Sequence, residues 1–303
     1  MKFEKMKIAV ASGKGGTGKT FVSVNLFRTF LKMNEKVALV DCDVEVPNVR
    51  VFISGQIFSE KDVSEFRPVI DKTKCLFCGK CADYCNYHAI FCESSLQYIR
   101  LLDDLCHGCG ACDVACTSGA IRPSSVAIGK ISTYAYKGDI CLAEGRMTTG
   151  HLSAVPIIKE VIQVLPEKNY RCMVFDSPPG TSCPFIQTVS RADYVILVTE
   201  PTPFGLSDLK QAIETLRLMN KPFGVIVNRS DLGDKHIYKF LEENGYDLLM
   251  EIPYDERIAR LYSEGEIAVD YFPLLAEKFK KLACKLMTKE MVYGDSGNKR
   301  KGW

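Results

Sequence analysis

Short, continuously apolar runs alternate with helix-spaced apolar positions along most of the chain. Residues 6–11 form one such run and end at a glycine-rich loop; Val22, Leu26 and Phe30 then recur at helical spacing and predict a helix over 19–33. A second run, 37–40, ends in Asp41-Cys42-Asp43. The rhythm returns later, with strands read at 172–175, 194–198, 223–227 and 248–252 and helices at 155–165, 206–219 and 235–244. Runs without in/out alternation, separated by helices, imply a parallel sheet covered on both faces. Residues 66–123 break the pattern. The stretch 126–147 alternates in places around Lys137-Gly138-Asp139 and reads as a hairpin returning to the main sheet. The fold class expected is therefore α/β, doubly wound and mostly parallel, formed by 1–65 with 124–303, carrying a small α+β insert at 66–123. The polar segment 294–303 is expected to fray.

Composition narrows the class. A chain of 303 residues can bury a full core and leave room for a small extra domain. Apolar residues at 47% and charged residues at 25% are ordinary for a globular protein. A net charge of +2 gives no reason to expect nucleic acid or an anionic surface as partner. No signal-type segment and no long apolar run is read, so a cytoplasmic protein without a membrane span is expected. The 14 cysteines are many. In a large chain with no export signal they point to metal ligation in a reducing compartment rather than to disulfides.

The loop Gly13-Lys14-Gly15-Gly16-Thr17-Gly18-Lys19-Thr20 lies between the first strand and the first helix. Small residues there let backbone amides turn toward phosphate oxygens; Lys19 suits the β- and γ-phosphates and the Thr20 hydroxyl suits Mg2+. A chance glycine-rich turn would not need Gly-Lys-Thr at the helix start. A dinucleotide fingerprint would need Gly-x-Gly-x-x-Gly, which this loop lacks.

The interrupting segment holds two copies of one motif. Cys75-x2-Cys78-x2-Cys81-x3-Cys85 recurs as Cys106-x2-Cys109-x2-Cys112-x3-Cys116, and Gly79, Ala89 and Ile90 find counterparts in Gly110, Ala120 and Ile121. Three closely spaced thiolates grip one iron–sulfur cluster while the fourth reaches another. Zinc, which thiolates also bind, usually takes paired Cys-x2-Cys with longer spacers and is the metal rival.

With Lys14 ahead of Gly15 and Lys19, the loop resembles the deviant phosphate loop of the MinD/ParA and nitrogenase iron protein ATPases. The resemblance runs from residue 8 to about 260 outside the insert, through Asp41-Cys42-Asp43, Pro47-Asn48, Asp176-Ser177-Pro178-Pro179-Gly180, Asn228-Arg229 and Pro253-Tyr254-Asp255. It implies ATP and Mg2+ as cofactors and ATP-driven dimerisation, as a homodimer or with a paralogous ATPase. Lys14 would reach the partner's nucleotide and Asp43 would orient water. Asp176 would join Thr20 in the magnesium shell. Gly180 would sense the γ-phosphate, and Asn228, Arg229, Pro253 and Tyr254 would flank the adenine. The insert resembles bacterial two-cluster ferredoxins. That resemblance implies one 4Fe–4S cluster on Cys75, Cys78, Cys81 and Cys116 and another on Cys85, Cys106, Cys109 and Cys112. Asn86 and Thr117 depart from it, standing where proline usually follows the fourth cysteine.

The whole chain is similar to MinD-superfamily ATPases with an inserted ferredoxin domain. Three functions compete: nucleotide-gated electron transfer to a redox or metalloprotein partner or an interface metal centre, assembly or delivery of an iron–sulfur or other metal cluster, and a positioning ATPase that senses redox state. Cys183, just past the second switch, is a candidate ligand for a dimer-bridging metal centre. Cys92 reads as an ordinary buried thiol, and Cys42, Cys141, Cys172 and Cys284 as small core residues. His88, His107, His151 and His236 form no ligand-spaced cluster. Leu275, Phe279, Leu282 and Leu286, with Lys278, Lys281 and Lys285, make a basic amphipathic helix that docks on the sheet or, less simply, lies on a membrane.

Overall fold

A computed structural model of the chain describes residues 5–288 other than Lys137 and Leu152. Its elements are β1 (Met6–Ala11), α1 (Lys19–Lys32), β2 (Val37–Asp41), β3 (Gln56–Ile70), α2 (Lys80–Asp83), β4 (Ile90–Glu93), β5 (Tyr98–Leu101) and α3 (Ala111–Ala115). There follow β6 (Ile121–Tyr136), β7 (Asp139–Met147), α4 (Val155–Val164), β8 (Cys172–Asp176), α5 (Cys183–Ser190), β9 (Tyr194–Thr199) and α6 (Pro203–Leu218). The last are β10 (Phe223–Asn228), α7 (His236–Asn244), β11 (Leu248–Ile252), α8 (Glu256–Ser263) and α9 (Pro273–Thr288). The expected fraying of 294–303 lies outside the described residues.

Among the described residues one sheet has the order β11-β10-β9-β1-β8-β2-β7-β6-β3. The pairs from β11 across to β7 are parallel, as the unalternating apolar runs require. β1, β2, β8 and β9 bury essentially every residue, because helices cover both faces. β6 lies between β7 and β3 in the sheet order, and β3 forms the edge with a mostly exposed, polar stretch over 56–62. Ile57 and Phe58 are exposed there too, and the charges of Glu60, Lys61 and Asp62 discourage further pairing on that edge. The strands that carry the sequence motifs, β1, β2, β8 and β10, all end at the same edge, where ligands bind in open α/β sheets.

By internal contacts the chain divides into two compact units, 5–60 with 131–146 and 158–288, and 61–130 with 147–157. In the larger unit α1 is buried on nearly every side. Its Asn25 is a polar residue used as a pin: the side chain donates to the Phe21 carbonyl at 2.7 Å and accepts the Val269 amide at 2.9 Å, fixing the approach to α9. On α9, Leu275, Phe279, Leu282 and Leu286 are all buried in the core. Its basic residues also serve the dock, with Lys278 donating to the Glu251 carbonyl and Lys285 pairing with Asp247, each at 2.9 Å. The amphipathic helix thus spends its apolar face internally. No helix among the described residues is long and apolar enough to cross a membrane.

The smaller unit has a modest core of Cys81, Ile90, Ile99, Cys112 and Ile121. β4 and β5 form an antiparallel hairpin with Ile90 opposite Leu101 and Cys92 opposite Ile99. α2 and α3 each begin after a glycine at φ 77°, Gly79 and Gly110. That left-handed conformation is cheap only for glycine, which explains its place after the second cysteine of each motif.

Phe279 is fully buried and meets Phe21 edge-on at 6.4 Å. Phe279→Ala is expected to cost about 3–5 kcal/mol of stability through the cavity it leaves, read from the denaturant midpoint. An unchanged midpoint would show that α9 does not dock in solution.

Candidate functional site

The loop from Gly13 to Thr20 leaves β1 and turns into α1. Gly16 and Gly18 take φ values of 81° and 98°. A Cβ on Gly13 would fall 2.3 Å from the Asp208 carbonyl oxygen, and one on Gly18 would fall 2.5 Å from the Asn228 side-chain nitrogen. The loop is therefore closely backed on two sides. Asn228, at the end of β10, donates to the Thr17 carbonyl at 2.9 Å, so this predicted adenine-side residue also clamps the phosphate loop. Gly15 and Gly16 at the tip are exposed and Thr17 is buried. Lys14 is half-buried and forms no ion pair among the described residues.

Lys19 is buried and faces a group of carboxylates. Burial disfavours its charge and lowers its pKa, while Asp176 and Asp43 pull the other way. Asp176, fully buried at the end of β8, accepts the Thr20 hydroxyl at 2.7 Å and the Ser23 hydroxyl at 2.7 Å. Ser23 was not singled out in the sequence. The signal was present, since a serine three residues after Thr20 shares its helix face. Asp41 is also fully buried and holds the loop after β2 by accepting the amides of Asp43, Asn48 and Val49 at 3.0–3.1 Å. Burial, and then the nearby Asp176 charge, push Asp41 well above the usual carboxylate range. Burial likewise raises Asp176, against the two hydroxyls and Lys19.

Gly180, at φ 90°, donates its amide to the Ser12 carbonyl at 3.1 Å. The amide expected to sense a γ-phosphate is engaged inside the protein here, so that role requires the bond to open. On the other side of the site, Ser230 donates to the Ile252 carbonyl at 3.0 Å and brings the ends of β10 and β11 together. Arg229 is exposed and pairs with Glu200 at 2.6 Å. Pro253 and Tyr254 are exposed in the following loop, and the Tyr254 amide is held by Asp231 at 2.6 Å.

The eight motif cysteines all lie in the smaller unit. A cavity there is lined by Cys85, Cys106, Cys109 and Cys112, with Tyr87 and His107 beside them. Those four thiols are the set that takes its fourth member from the other motif. Tyr87 and His107 stack at 3.9 Å between ring centroids. Cys81 lies close to Cys75 and Cys116, the other crossed set. Amides point at sulfur at both ends of the first motif, from Phe77 to Cys75 at 3.4 Å and from Ala89 to Cys85 at 3.3 Å. Burial works against a Cys116 thiolate, but the Ser118 hydroxyl and the amides of Ile121, Ala120 and Ser118 outweigh it and hold this thiol below its usual value. Among the described residues no three His, Cys, Asp or Glu side chains converge as a single-ion site.

The remaining cysteines divide. Cys42, Cys141 and Cys172 are buried as expected of core residues, whereas Cys284 is exposed on α9. Cys183 is exposed at the first position of α5, directly after the loop that leaves β8. Cys92 is half-buried and packs with the motif cysteines, a placement that its lack of a partner in the repeat did not reveal.

Burial, then the Asp176 charge, raises Asp43 from an ordinary 3.8 to about 6, against the pull of Lys19. Below the lower value both folded and unfolded chains hold the proton; between the two only the folded chain does. Stability is therefore lost as pH rises across that window and is constant above it. In nucleotide-free protein, Asp43→Asn should raise stability by an amount that grows from pH ~4 to pH ~6 and then levels, on the order of 1 kcal/mol for a partly solvated group, seen as a rise in melting temperature. Thermal melts at several pH values check this; a gain independent of pH contradicts it.

The CobQ/CobB/MinD/ParA nucleotide binding domain model matches residues 8–269. An uncharacterized protein of Methanocaldococcus jannaschii, MJ0579, is 34% identical over 88% of this chain and 93% of its own length. An iron-sulfur cluster carrier protein of Pyrococcus horikoshii is 25% identical over 97% of this chain and 90% of its own. Among solved structures, the septum site-determining protein MinD of Pyrococcus horikoshii complexed with Mg-ADP has a TM-score of 0.57 at 22% identity, covering 94% of this chain and 97% of its own. The last likeness concerns the fold, a mostly parallel α/β sheet of the MinD/ParA type. With the phosphate loop between β1 and α1 and the match running almost to α9, the chain belongs to the CobQ/CobB/MinD/ParA nucleotide-binding family.

Proposed function

We propose that the chain is an ATP-hydrolysing iron–sulfur protein that couples nucleotide-driven dimerisation to electron transfer through two 4Fe–4S clusters. The observation that carries this reading is the cavity lined by Cys85, Cys106, Cys109 and Cys112. Four thiols crossed between two motifs meet there, with the Ala89 amide aimed at Cys85 as the Phe77 amide is aimed at Cys75 of the other set, and the arrangement fits a cubane cluster better than a single ion. Three of the eight ligands, Cys81, Cys85 and Cys112, are buried, which suits clusters that stay in place through turnover. When bound, the clusters supply one-electron chemistry at potentials tuned by those amides.

On the nucleotide side, Lys19 and the loop amides hold the phosphates. Thr20 and Asp176 are hydrogen-bonded to each other and stand together as magnesium-shell groups. Asp43 sits beside Lys19 and orients the attacking water. Lys14, half-exposed and unpaired, is free to reach the nucleotide of a second copy or a paralogue. Asn228, Arg229, Pro253 and Tyr254 flank the base. Cys183 is exposed next to the second switch. An isologous dimer that joined the two switches would present two copies of it to one bridging metal centre.

A second reading is cluster assembly or delivery. It is favoured by several relatives named iron-sulfur cluster carrier proteins at 24–28% identity and by the exposure of Cys78 and Cys109. The two readings part on whether iron leaves the protein during ATP turnover.

Protein purified without oxygen should hold about eight irons and eight sulfides per chain, and Cys183→Ala should lower only iron in excess of that. Stoichiometric zinc contradicts the cluster assignment, and iron passed to an apo-acceptor during turnover favours the carrier reading. Lys19→Ala should lose nucleotide binding. Lys14→Ala should keep binding but lose ATP-dependent dimerisation, with hydrolysis down by at least about 100-fold. Normal hydrolysis by Lys14→Ala would overturn the dimer model.

A further inference from the structure

We infer that Cys92 is a reserve ligand for the cluster at the first cysteine loop, placed to take an iron when Cys78 releases it. This rests on the cluster reading above. The first motif has four ligands by spacing, yet the fold brings a fifth thiol to it. Cys92 lies on β4 and shares the inner face with buried Ile90, while Phe91 between them points outward. Its cross-strand partner Ile99 is buried, so the register holds this face against the cysteine core. The turn after β4 is tied to the ligand loop itself, since the Ser94 hydroxyl donates to the Phe77 carbonyl at 2.5 Å. The Cys92 thiol lies within electrostatic reach of Cys75, Cys78 and Cys81 and faces the Gly79 amide.

The second loop differs. In the sequence repeat the counterpart of Cys92 is Pro123, and the second cavity is lined by four thiols. Among the described residues the two sites are therefore unequal, with a spare thiol at the first alone. Cys78 is the ligand that needs one. It is exposed, whereas Cys81 is buried and Cys75 and Cys116 are half-buried. Water reaches the Cys78 sulfur most easily and can protonate it off the iron. In the exchange the Fe–S bond to Cys78 breaks and that sulfur gains a proton. Cys92 gives its proton to water and bonds the same iron. The cluster keeps its oxidation state, and its iron is retained where the second site would lose it.

Five proteins purified without oxygen test this: wild type, Cys78→Ala, Cys92→Ala, the double variant Cys78→Ala/Cys92→Ala, and Cys109→Ala as the equivalent ligand of the second loop. Iron is counted in each, and thiols are mapped by iodoacetamide alkylation of the native proteins. Wild type and Cys92→Ala should carry about eight irons, and Cys78→Ala should stay within about one of that. The double variant and Cys109→Ala should each fall by about four. Cys92 should be alkylated in wild type and protected in Cys78→Ala. Equal iron loss in Cys78→Ala and Cys109→Ala, or unchanged alkylation of Cys92 when Cys78 is gone, overturns the inference while the cluster reading stands. Wild type without iron overturns both.

Discussion

Asp176 is a carboxylate buried at the head of a parallel sheet, and the nucleotide site is built around making that burial tolerable. A charge removed from water is costly unless it is hydrogen-bonded and paired. Two hydroxyls from one face of α1, Thr20 and Ser23, supply the bonds, and Lys19 supplies the opposite charge. All three come from the first turns of α1, so the end of β8 and the start of the helix are fixed as one piece. The phosphate loop is the link between β1 and that helix, and its path follows. The solution is incomplete by design, because Asp41 and Asp43 crowd the same region, and burial, with the Asp176 charge second, raises the pKa of both. Three acidic groups share one buried ammonium, and on the proposed reading an arriving divalent cation relieves their mutual repulsion. On that reading magnesium-bound nucleotide is a better ligand than nucleotide alone.

The smaller unit meets a different constraint. Its core has few apolar residues, and cysteines are part of it. A small unit buries a smaller share of its surface than a large domain, so its hydrophobic core alone supplies a modest stability. On the proposed reading, thiolate–iron bonds provide the remainder, so cluster loading and folding of the unit are one equilibrium. The positions of Gly79 and Gly110 reflect this, since each turns the chain so that the third cysteine of its motif faces inward at the start of a short helix.

Most of the larger unit was legible because buried parallel strands and their helices announce themselves in long apolar runs. Asp43, Asp176 and Asn228 stood out because they end such runs. β3 was not seen, since residues 56–62 are all exposed along a sheet edge and their only apolar residues, Ile57 and Phe58, are adjacent and give no in/out alternation. α5 was missed for its shortness and its opening Cys-Pro. Ser23 and Asn25 look like ordinary polar helix residues; only the fold shows one holding Asp176 and the other pinning Val269. The motif cysteines were readable from spacing, but Cys92 was not, because its role depends on the register of β4 against β5 rather than on any repeat. The family match covers the nucleotide engine. What the insert adds must be read from its own thiols.

The central claim is that nucleotide state is felt by the clusters. An EPR-monitored redox titration of the anaerobically purified protein, with and without Mg-ATP, measures it directly. The account predicts a nucleotide-dependent change in midpoint potential, on the order of 60 mV for a tenfold change in a one-electron equilibrium. That change should vanish in Lys19→Ala with cluster content unaltered. Identical potentials and line shapes with and without Mg-ATP in the wild-type protein would contradict it.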